Sequence, residues 1–484
     1  MSDVDQKSTD GTSEASAPAG QRVRASQILR VRKIWLVPVV IATVFVALMS
    51  AIYFGSVVNP TGHLHNLPVV VVNEDTGGVV GGQKVNVGAN VVSALEGTGA
   101  VTSRLRLDKT TLSDAKAIMD RGGAYATLVI PATLTRSVLV ATGASALGPD
   151  VPAEGSVELL ENQRLGSIGV SLAAGVLTPA MTKISQTLGT KLKSQATPSA
   201  TGNPVTAAQL ADPVALETTT YRPLPDHSAL GLSAFYVALL AIMSGFISAT
   251  LINSSIDSAL GYGATELGPR WTQRRPVPID RRETLLIKWA VALIAIPVVT
   301  GVMLLISVGL LGMYAPNVLL LWCLTAFAAV MIASGTLTLL AVFGTIGQLL
   351  ALILLVYLSL ASSGGTVPIQ ALPGVFRAVA HLEPLRQVLL GTRAIMYFDA
   401  RGDAGLTHSL ILIGCELAFW LIVGFGVTSW YDKRKLYRIP SDLFPLLSRA
   451  IDQTVAERAA AKARATVGSP ASAGGSHPGD DLRA

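Results

Sequence analysis

Long runs of apolar residues alternate along the chain with shorter polar segments. An α-helix needs about 20 consecutive apolar residues to cross the hydrocarbon core of a bilayer. Five runs reach that length and a sixth is shorter, so the pattern predicts six transmembrane helices. They occupy residues 34–54, 229–252, 285–310, 318–343, 349–362 and 406–430, of which the fifth is the short one.

A different pattern fills residues 59–226, between the first two predicted helices. "LPVVVVN", "AYATLVIP" and "SVELLENQ" are typical of strands, and "VTSRLRL" alternates with period two. "TLSDAKAIMDRG" is typical of an amphipathic helix that Thr110 or Thr111 caps. A long mixed helix is predicted over 165–193, and 197–226, rich in Pro, Thr and Ala, is predicted to be a linker. The segment is therefore predicted to be a small α/β domain.

The distribution of basic residues predicts which side of the membrane each end of the helices faces. The 37 basic residues exceed the 31 acidic ones, and half of the chain is apolar, as in polytopic membrane proteins. The basic residues cluster before the first helix, between the second and third, and after the sixth, which is one side of a six-helix arrangement. This distribution predicts that both termini are cytoplasmic, and it explains the positive charge without nucleic acid. The clusters are Arg22, Arg24, Arg30, Arg32 and Lys33; Arg270, Arg274, Arg275, Arg281, Arg282 and Lys288; and Lys433, Arg434, Lys435 and Arg438.

The predicted fold class is an α-helical polytopic membrane protein with an extracytoplasmic α/β domain between its first and second helices. The predicted parts are a basic cytoplasmic tail (1–33), the first transmembrane helix (34–55) and the extracytoplasmic domain with its linker (56–226). A five-helix membrane domain (227–430) and a cytoplasmic tail (431–484) follow. That tail has a short Ala-rich helix, "AERAAAKARA", and is otherwise expected to be mostly disordered.

The stretch "VVVVNEDTGG" is the place in the α/β domain where a cation site could lie. Glu74 and Asp75 follow a buried strand, where loops of α/β folds often carry sites. However, adjacent carboxylates on a strand point in different directions, and Asn, Asp and Gly are ordinary turn residues. A structural turn is the favoured interpretation.

Residues for enzyme chemistry are not apparent, so we expect no enzyme, no cofactor and no metal site. The chain has no G-x-x-x-x-G-K-[ST] phosphate loop, no H-E-x-x-H and no G-x-S-x-G, and its histidines are scattered. Glu416 lies well inside the sixth apolar run, where acids are costly and are therefore functional candidates. We take it as a candidate transport residue, with packing as the alternative.

Several stretches together resemble a known family. "LPVVVVNEDTGG", "VGANVVSAL", "RGGAYATLVIPATLTRSV" and "SSGGTVPIQALPGVFRAVAHLEPLRQVLLGTR" are similar to the YhgE/Pip (phage infection protein-like) family and the related nitrosoguanidine-resistance membrane proteins. Both belong to the wider group of ABC-2 type permeases. The resemblance implies one helix, an outer domain and a five-helix membrane block. The outer domain is short here, so a phage-receptor role is not carried over.

The resemblance also implies how such a chain would couple to ATP. In ABC-2 permeases the loop between the second and third helices contacts the ATPase, although basic residues there also satisfy the positive-inside rule. The predicted partners are the lipid bilayer, a separate nucleotide-binding subunit and, in a homo- or heterodimer, a second permease chain. The candidate coupling residues are Arg270, Arg274, Arg275, Arg281 and Arg282.

Three functions are compatible with the sequence. The leading one is a permease-like component of the cell membrane that exports lipids, amphiphiles or drugs with a separate ATPase. A proton-driven exporter is a second, although residues 318–343 lack the acids that such a mechanism usually places in its fourth helix. The third is a non-transporting scaffold or accessory protein of secretion or the cell envelope.

Overall fold

The computed structural model describes residues 30, 32–80, 83–141, 155–194, 204–268, 270–439 and 443–467. It divides into two units, residues 1–52 and 53–484. Helix α1 (Arg32–Val57) begins in the first unit and ends in the second, and most of its apolar side chains are exposed. The described residues are mostly helical and include a small α/β sheet.

Five strands form this sheet in the order β4-β1-β5-β6-β7. Strand β1 pairs parallel with both β4 and β5, β5 pairs antiparallel with β6, and β6 pairs parallel with β7. Two short strands, β2 and β3, make a separate antiparallel pair. The strands are β1 (Leu67–Asn73), β2 (Gly78–Val80), β3 (Gln83–Val85), β4 (Leu105–Lys109), β5 (Ala126–Ile130), β6 (Gly155–Glu161) and β7 (Val214–Thr220).

Helices cover both faces of the sheet, which is why β1 carries four consecutive valines. Val69 and Val71 join a core formed with α2 and α6, whereas Val70 and Val72 pack against α4 on the other face. A strand buried on both faces is apolar throughout and does not alternate. The helices of this domain are α2 (Val87–Gly97), α3 (Gly99–Thr102), α4 (Leu112–Asp120), α5 (Leu134–Ala141), α6 (Ser167–Lys193) and α7 (Pro204–Ala211).

Two local predictions for this domain were wrong. The predicted linker (197–226) contains α7 and the strand β7, and the start of the predicted strand "VTSRLRL" is the short helix α3. Strand β7 lies at the edge of the sheet, so most of its side chains face solvent and its composition is polar. Its β-branched Thr218, Thr219 and Thr220 suit a strand, and its pairing with β6 supplies the backbone partners.

Seven described helices are long and apolar enough to cross a membrane. Six coincide with the predicted transmembrane helices. The seventh, α6, packs against the sheet through Ala173, Leu177 and Met181, so length and composition alone do not set the number of helices in a bilayer. The six-helix topology remains a prediction. Beyond α1 and α6, the apolar helices are α8 (Ser233–Ala259), α9 (Arg281–Leu310), α10 (Val318–Phe343), α11 (Thr345–Ser362) and α14 (Leu406–Lys433).

Helix α10 is the central helix of the membrane block. It packs against α8, α9 and α14, and it is the most buried of the seven apolar helices. Gly245 of α8 lies so close to α10 that a Cβ atom there would be 2.5 Å from the carbonyl oxygen of Ala329. Small residues allow this approach, and close backbone packing is a main source of helix association in membranes.

In the sequence, apolar residues at helical spacing over 372–398 alternate with charged residues and are broken at Pro384, which predicts an amphipathic helical hairpin at the outer interface. Two shorter helices, α12 (Gly374–Val379) and α13 (Pro384–Tyr397), form this hairpin. The structure confirms the break at Pro384, the first residue of α13. Helix α13 is largely buried and packs against α8, α10 and α14, as expected of a packing element, and its place at the outer interface stays a prediction. Its buried residues, which include the polar Gln387, Thr392 and Arg393 as well as apolar ones, extend around most of its circumference.

The glycine-rich segment before this hairpin belongs partly to the outer domain. Val367, Ala371 and Leu372 are buried in the same core as the sheet residues Val69 and Leu128. The outer domain and the membrane block therefore share apolar packing.

The basic loop and the C-terminal tail are ordered where they are described. The loop contains an antiparallel pair of short strands, β8 (Thr265–Leu267) and β9 (Arg270–Thr272). The tail forms α15 (Leu443–Val467), which begins well before the predicted Ala-rich segment. Disorder is expected from the sequence for residues 1–20 and 468–484, and both segments lie outside the described residues.

Candidate functional site

The turn after β1 is built around the carboxylate of Asp75, which is buried, whereas Glu74 is exposed. One oxygen accepts hydrogen bonds from the backbone N–H groups of Gly77 and Thr135, both at 3.2 Å. The other accepts from the N–H of Gly88 at 2.8 Å and from the Thr135 hydroxyl at 2.5 Å.

Gly88 and Thr135 lie in the first turns of α2 and α5, so Asp75 satisfies donors at two helix N-termini. Both carboxylate oxygens are used within the fold, which favours the structural turn over a cation site. Among the described residues, no three His, Cys, Asp or Glu side chains lie close enough together to hold a metal ion.

Polar contacts join the outer domain to the membrane block. The Arg164 guanidinium donates a hydrogen bond to the carbonyl oxygen of Tyr397 at 2.9 Å. The backbone N–H of His65 donates to the carbonyl oxygen of Gln370, also at 2.9 Å. Helix α13 and the glycine-rich segment are therefore bonded to the domain as well as packed against it.

Arg393 lies buried at this junction. Its guanidinium donates to the carbonyl oxygen of Gly365 at 3.3 Å, but no carboxylate of the described residues pairs with it. Burial lowers the pKa of Arg393 and of its neighbour Arg386. Burial likewise raises the pKa of the nearby Tyr125 hydroxyl.

The candidate transport residue Glu416 is half-buried in α14 and interacts electrostatically with Glu383 at the start of α13. Glu383 is buried and accepts a 2.6 Å hydrogen bond from the Ser359 hydroxyl. Burial raises the pKa of Glu383 to about 7. Sequence reasoning missed this partner, although an acid beside Pro384 inside an apolar segment was the available signal.

Two of the candidate coupling residues, Arg281 and Arg282, begin α9. Their backbone N–H groups donate hydrogen bonds to the two oxygens of Asp432 in α14, each at 3.0 Å. The sequence places Asp280 directly before this helix as the candidate cap, but its side chain makes no capping bond. The cap therefore comes from another helix, and it fixes the start of α9 against the end of α14.

The other candidate coupling residues do not join this contact. Arg275 forms an ion pair with Asp452 of α15. Arg274 is exposed, and Arg270 belongs to β9 but its side chain lies outside the described residues. The structure therefore divides the predicted set between the start of α9 and the surface of the loop.

A buried ionic cluster that sequence reasoning missed lies beside the start of α9. Asp257 of α8 accepts two hydrogen bonds from the Arg438 guanidinium, at 2.5 and 2.8 Å, and lies 2.7 Å from the Lys288 ammonium group. Lys288 also donates to the side-chain oxygen of Asn253 at 2.7 Å. These four residues are called the Asp257 cluster below. A lysine inside one apolar run and an acid near the end of the preceding one were the available signals.

The apolar helices, the small α/β sheet and the buried charges define a multi-helix membrane protein with an α/β domain. The model of the family described as "Protein of unknown function (DUF3533)" matches residues 38–414, which is most of the chain. The chain belongs to this family.

No curated protein matches the chain. A crystal structure of a domain assigned to an ABC type-2 transporter of Thermotoga maritima MSB8 is 18% identical over 32% of this chain and 85% of that chain, with a TM-score of 0.22. A TM-score this low does not establish a shared fold.

Proposed function

We propose that the chain is an ABC-2 type permease-like component that exports lipids, amphiphiles or drugs with a separate ATPase. The observation that carries this proposal is the network at the basic loop. The loop between α8 and α9 is connected to α14 through Asp432 and to α15 through Asp452. A subunit that docks on this loop could therefore move several helices together.

Packed helices connect that network to the outer domain. Helix α9 packs along α10, and α10 packs against α13. Helix α13 is bonded to the outer domain through Tyr397 and Arg164. A displacement of α9 would therefore reach the outer domain through packed elements, which deform little in close-packed interiors.

A scaffold function is the second candidate, and the shared core of the outer domain and membrane block supports it. Val367, Ala371 and Leu372, which precede α12 and α13 in the chain, pack into the core of the outer domain, as a protein that presents a fixed surface to a partner would need. A proton-driven exporter is a third candidate, supported by the interaction between Glu383 and Glu416.

Affinity purification in mild detergent, followed by mass spectrometry, separates the first two candidates. The tagged chain should recover a nucleotide-binding subunit, and the double variant Arg274→Glu with Arg275→Glu should lose it. The matched control is Arg104→Glu with Arg136→Glu, which makes the same charge change at exposed positions of the outer domain. Repeated recovery of secretion or envelope proteins without an ATPase would instead support the scaffold.

A transport measurement tests the role of the buried acid. Glu416→Gln should reduce export of the substrate while leaving recovery of the ATPase unchanged, if the carboxylate lines the path. Unchanged export would assign Glu416 to packing. Loss of export with a changed dependence on the proton gradient, and no ATPase recovered, would favour the proton-driven exporter.

A further inference from the structure

A cavity of about 260 Å³ opens beside the Asp257 cluster. It lies between the end of α8, the start of α9 and the turn that joins α10 to α11. On one side it is bordered by Gly344, Thr345 and Gln348, all of which are exposed, so a ligand can enter from there. The charged and amide side chains that line it are Asn253, Asp257, Arg281, Lys288, Gln348 and Arg438.

The lining carries more positive than negative charge. Three of its side chains are cations and one, Asp257, is an acid, which gives a formal charge of 3 − 1 = +2. Asp432 lies next to Arg281, but both of its oxygens already accept backbone N–H groups. Counting Asp432 as well leaves an excess of one positive charge.

Two of these cations, Lys288 and Arg281, are not fully paired with acidic groups. Lys288 is 5% exposed, and the described residues provide partners for two of its three ammonium donors, namely Asn253 and Asp257. The Arg281 guanidinium donates to the carbonyl oxygens of Leu436 and Tyr437, which carry no formal charge. Lys288 is buried, whereas Arg281 and Arg438 are half-buried. A buried cation such as Lys288 is costly unless anions pair with it, and Asp257 is shared between Lys288 and Arg438.

We propose that this cavity binds a phosphate group. Phosphate oxygens accept several strong, charge-assisted hydrogen bonds from lysine and arginine, which suits the free donor of Lys288 and the arginines around it. Basic pockets between membrane helices bind the headgroups of anionic lipids. The open side at Gln348 and the position beside four apolar helices suit a phospholipid headgroup, and free phosphate offers the same chemistry.

The test uses the full chain in nanodiscs of phosphatidylcholine alone or of an equimolar mixture with phosphatidylglycerol. A ligand that binds only the native state raises the unfolding temperature, and the rise follows its concentration. Phosphatidylglycerol should raise the unfolding temperature. Inorganic phosphate added to the phosphatidylcholine nanodiscs forms the second arm, and a response there in place of the lipid response identifies a soluble phosphate as the source.

Two variants locate the response. Gln348→Glu adds one acid to the lining without removing a partner of Asp257, and it should weaken the apparent affinity about tenfold, by replacing a neutral group with a repulsive one. Lys288→Gln should weaken it at least as much. The control Gln186→Glu is the same isosteric change on the exposed surface of α6 and should leave the affinity unchanged.

Two results would overturn the site: no response to either probe, or equal responses in Gln348→Glu and Gln186→Glu. If Lys288→Gln does not fold, Gln348→Glu decides the matter by itself. The site is independent of the proposed export function, because the measurement requires neither an ATPase nor a transported substrate.

Discussion

The Thr135 hydroxyl donates a 2.5 Å hydrogen bond to the carboxylate of Asp75, although the two residues are 60 positions apart in the chain. This bond connects the turn after β1 to the start of α5. The first prediction follows from it.

Asp75→Asn should destabilise the outer domain by about 1–3 kcal/mol, because one amide NH₂ would face N–H and O–H donors and leave buried groups unpaired. Hydrogen exchange of α2 and α5 in the full chain measures the effect as a lower opening free energy. Glu74→Gln, an isosteric change at the exposed neighbour, is the control and should alter exchange little. Equal exchange in both variants would contradict the role assigned to Asp75.

The second prediction concerns the pH dependence of stability at Glu383. Its pKa is raised from 4.5 to about 7 in the folded chain, so the folded state holds its proton more tightly than the unfolded state does. The contribution of Glu383 to the free energy of unfolding should therefore be fully present below pH 4.5 and should be lost as the pH rises through about 7. The loss is at most about 3.5 kcal/mol, since one pKa unit corresponds to about 1.4 kcal/mol.

Glu383→Gln keeps an acceptor for the Ser359 hydroxyl but cannot ionise. It should be more stable than the unaltered chain at pH 8 and should have a weaker pH dependence between pH 4.5 and 7. Thermal unfolding in detergent across this range measures both. A variant with the same pH profile as the unaltered chain would show that another group is responsible.

The third prediction distinguishes the two possible caps of α9. Asp432→Ala should destabilise the first turn of α9 by about 1 kcal/mol, a typical value for a lost helix cap, whereas Asp280→Ala should have little effect. Hydrogen exchange of the peptide that contains Arg281 and Arg282 reports the difference. The reverse order of effects would restore the cap that the sequence suggested.

The fourth prediction concerns topology. Ser93→Cys in α2 and Ser255→Cys in α8 place single thiols at exposed positions, in a background that lacks Cys323 and Cys415. On intact cells an impermeant thiol reagent should label Cys at position 93 and leave position 255 unlabelled until the cells are opened. Similar labelling of both before opening is incompatible with the six-helix prediction.

Local patterns were sufficient to predict several elements. The sequence placed β1 at residues 67–73 and α10 at residues 318–343, and the structure has the same bounds. It also predicted a cap at Thr110 or Thr111, and the Thr111 side chain accepts a hydrogen bond from the N–H of Asp114. The length of an apolar run and the presence of a cap depend on residues that are neighbours in the sequence. They can therefore be recognised without knowledge of the tertiary contacts.

Contacts between distant segments could not be predicted in this way. Strand β7 resembles a linker until β6 supplies its backbone partners. Asp280 is the nearest acid to the start of α9, yet Asp432 from α14 makes the hydrogen bonds.

The composition of the chain determined that it is rich in apolar helices and that its basic residues form three clusters. Tertiary structure alone decided which of those charges are buried together. From the sequence, Lys288 is interpreted as one more membrane-flanking cation. The packing of α8 against α9 places Asp257 beside it, and the return of the chain after α14 brings Arg438 to the same place. The physical reason is that the hydropathy of a helix is a property of one continuous segment. The free energy of a buried charge depends instead on partners that folding brings from far away in sequence.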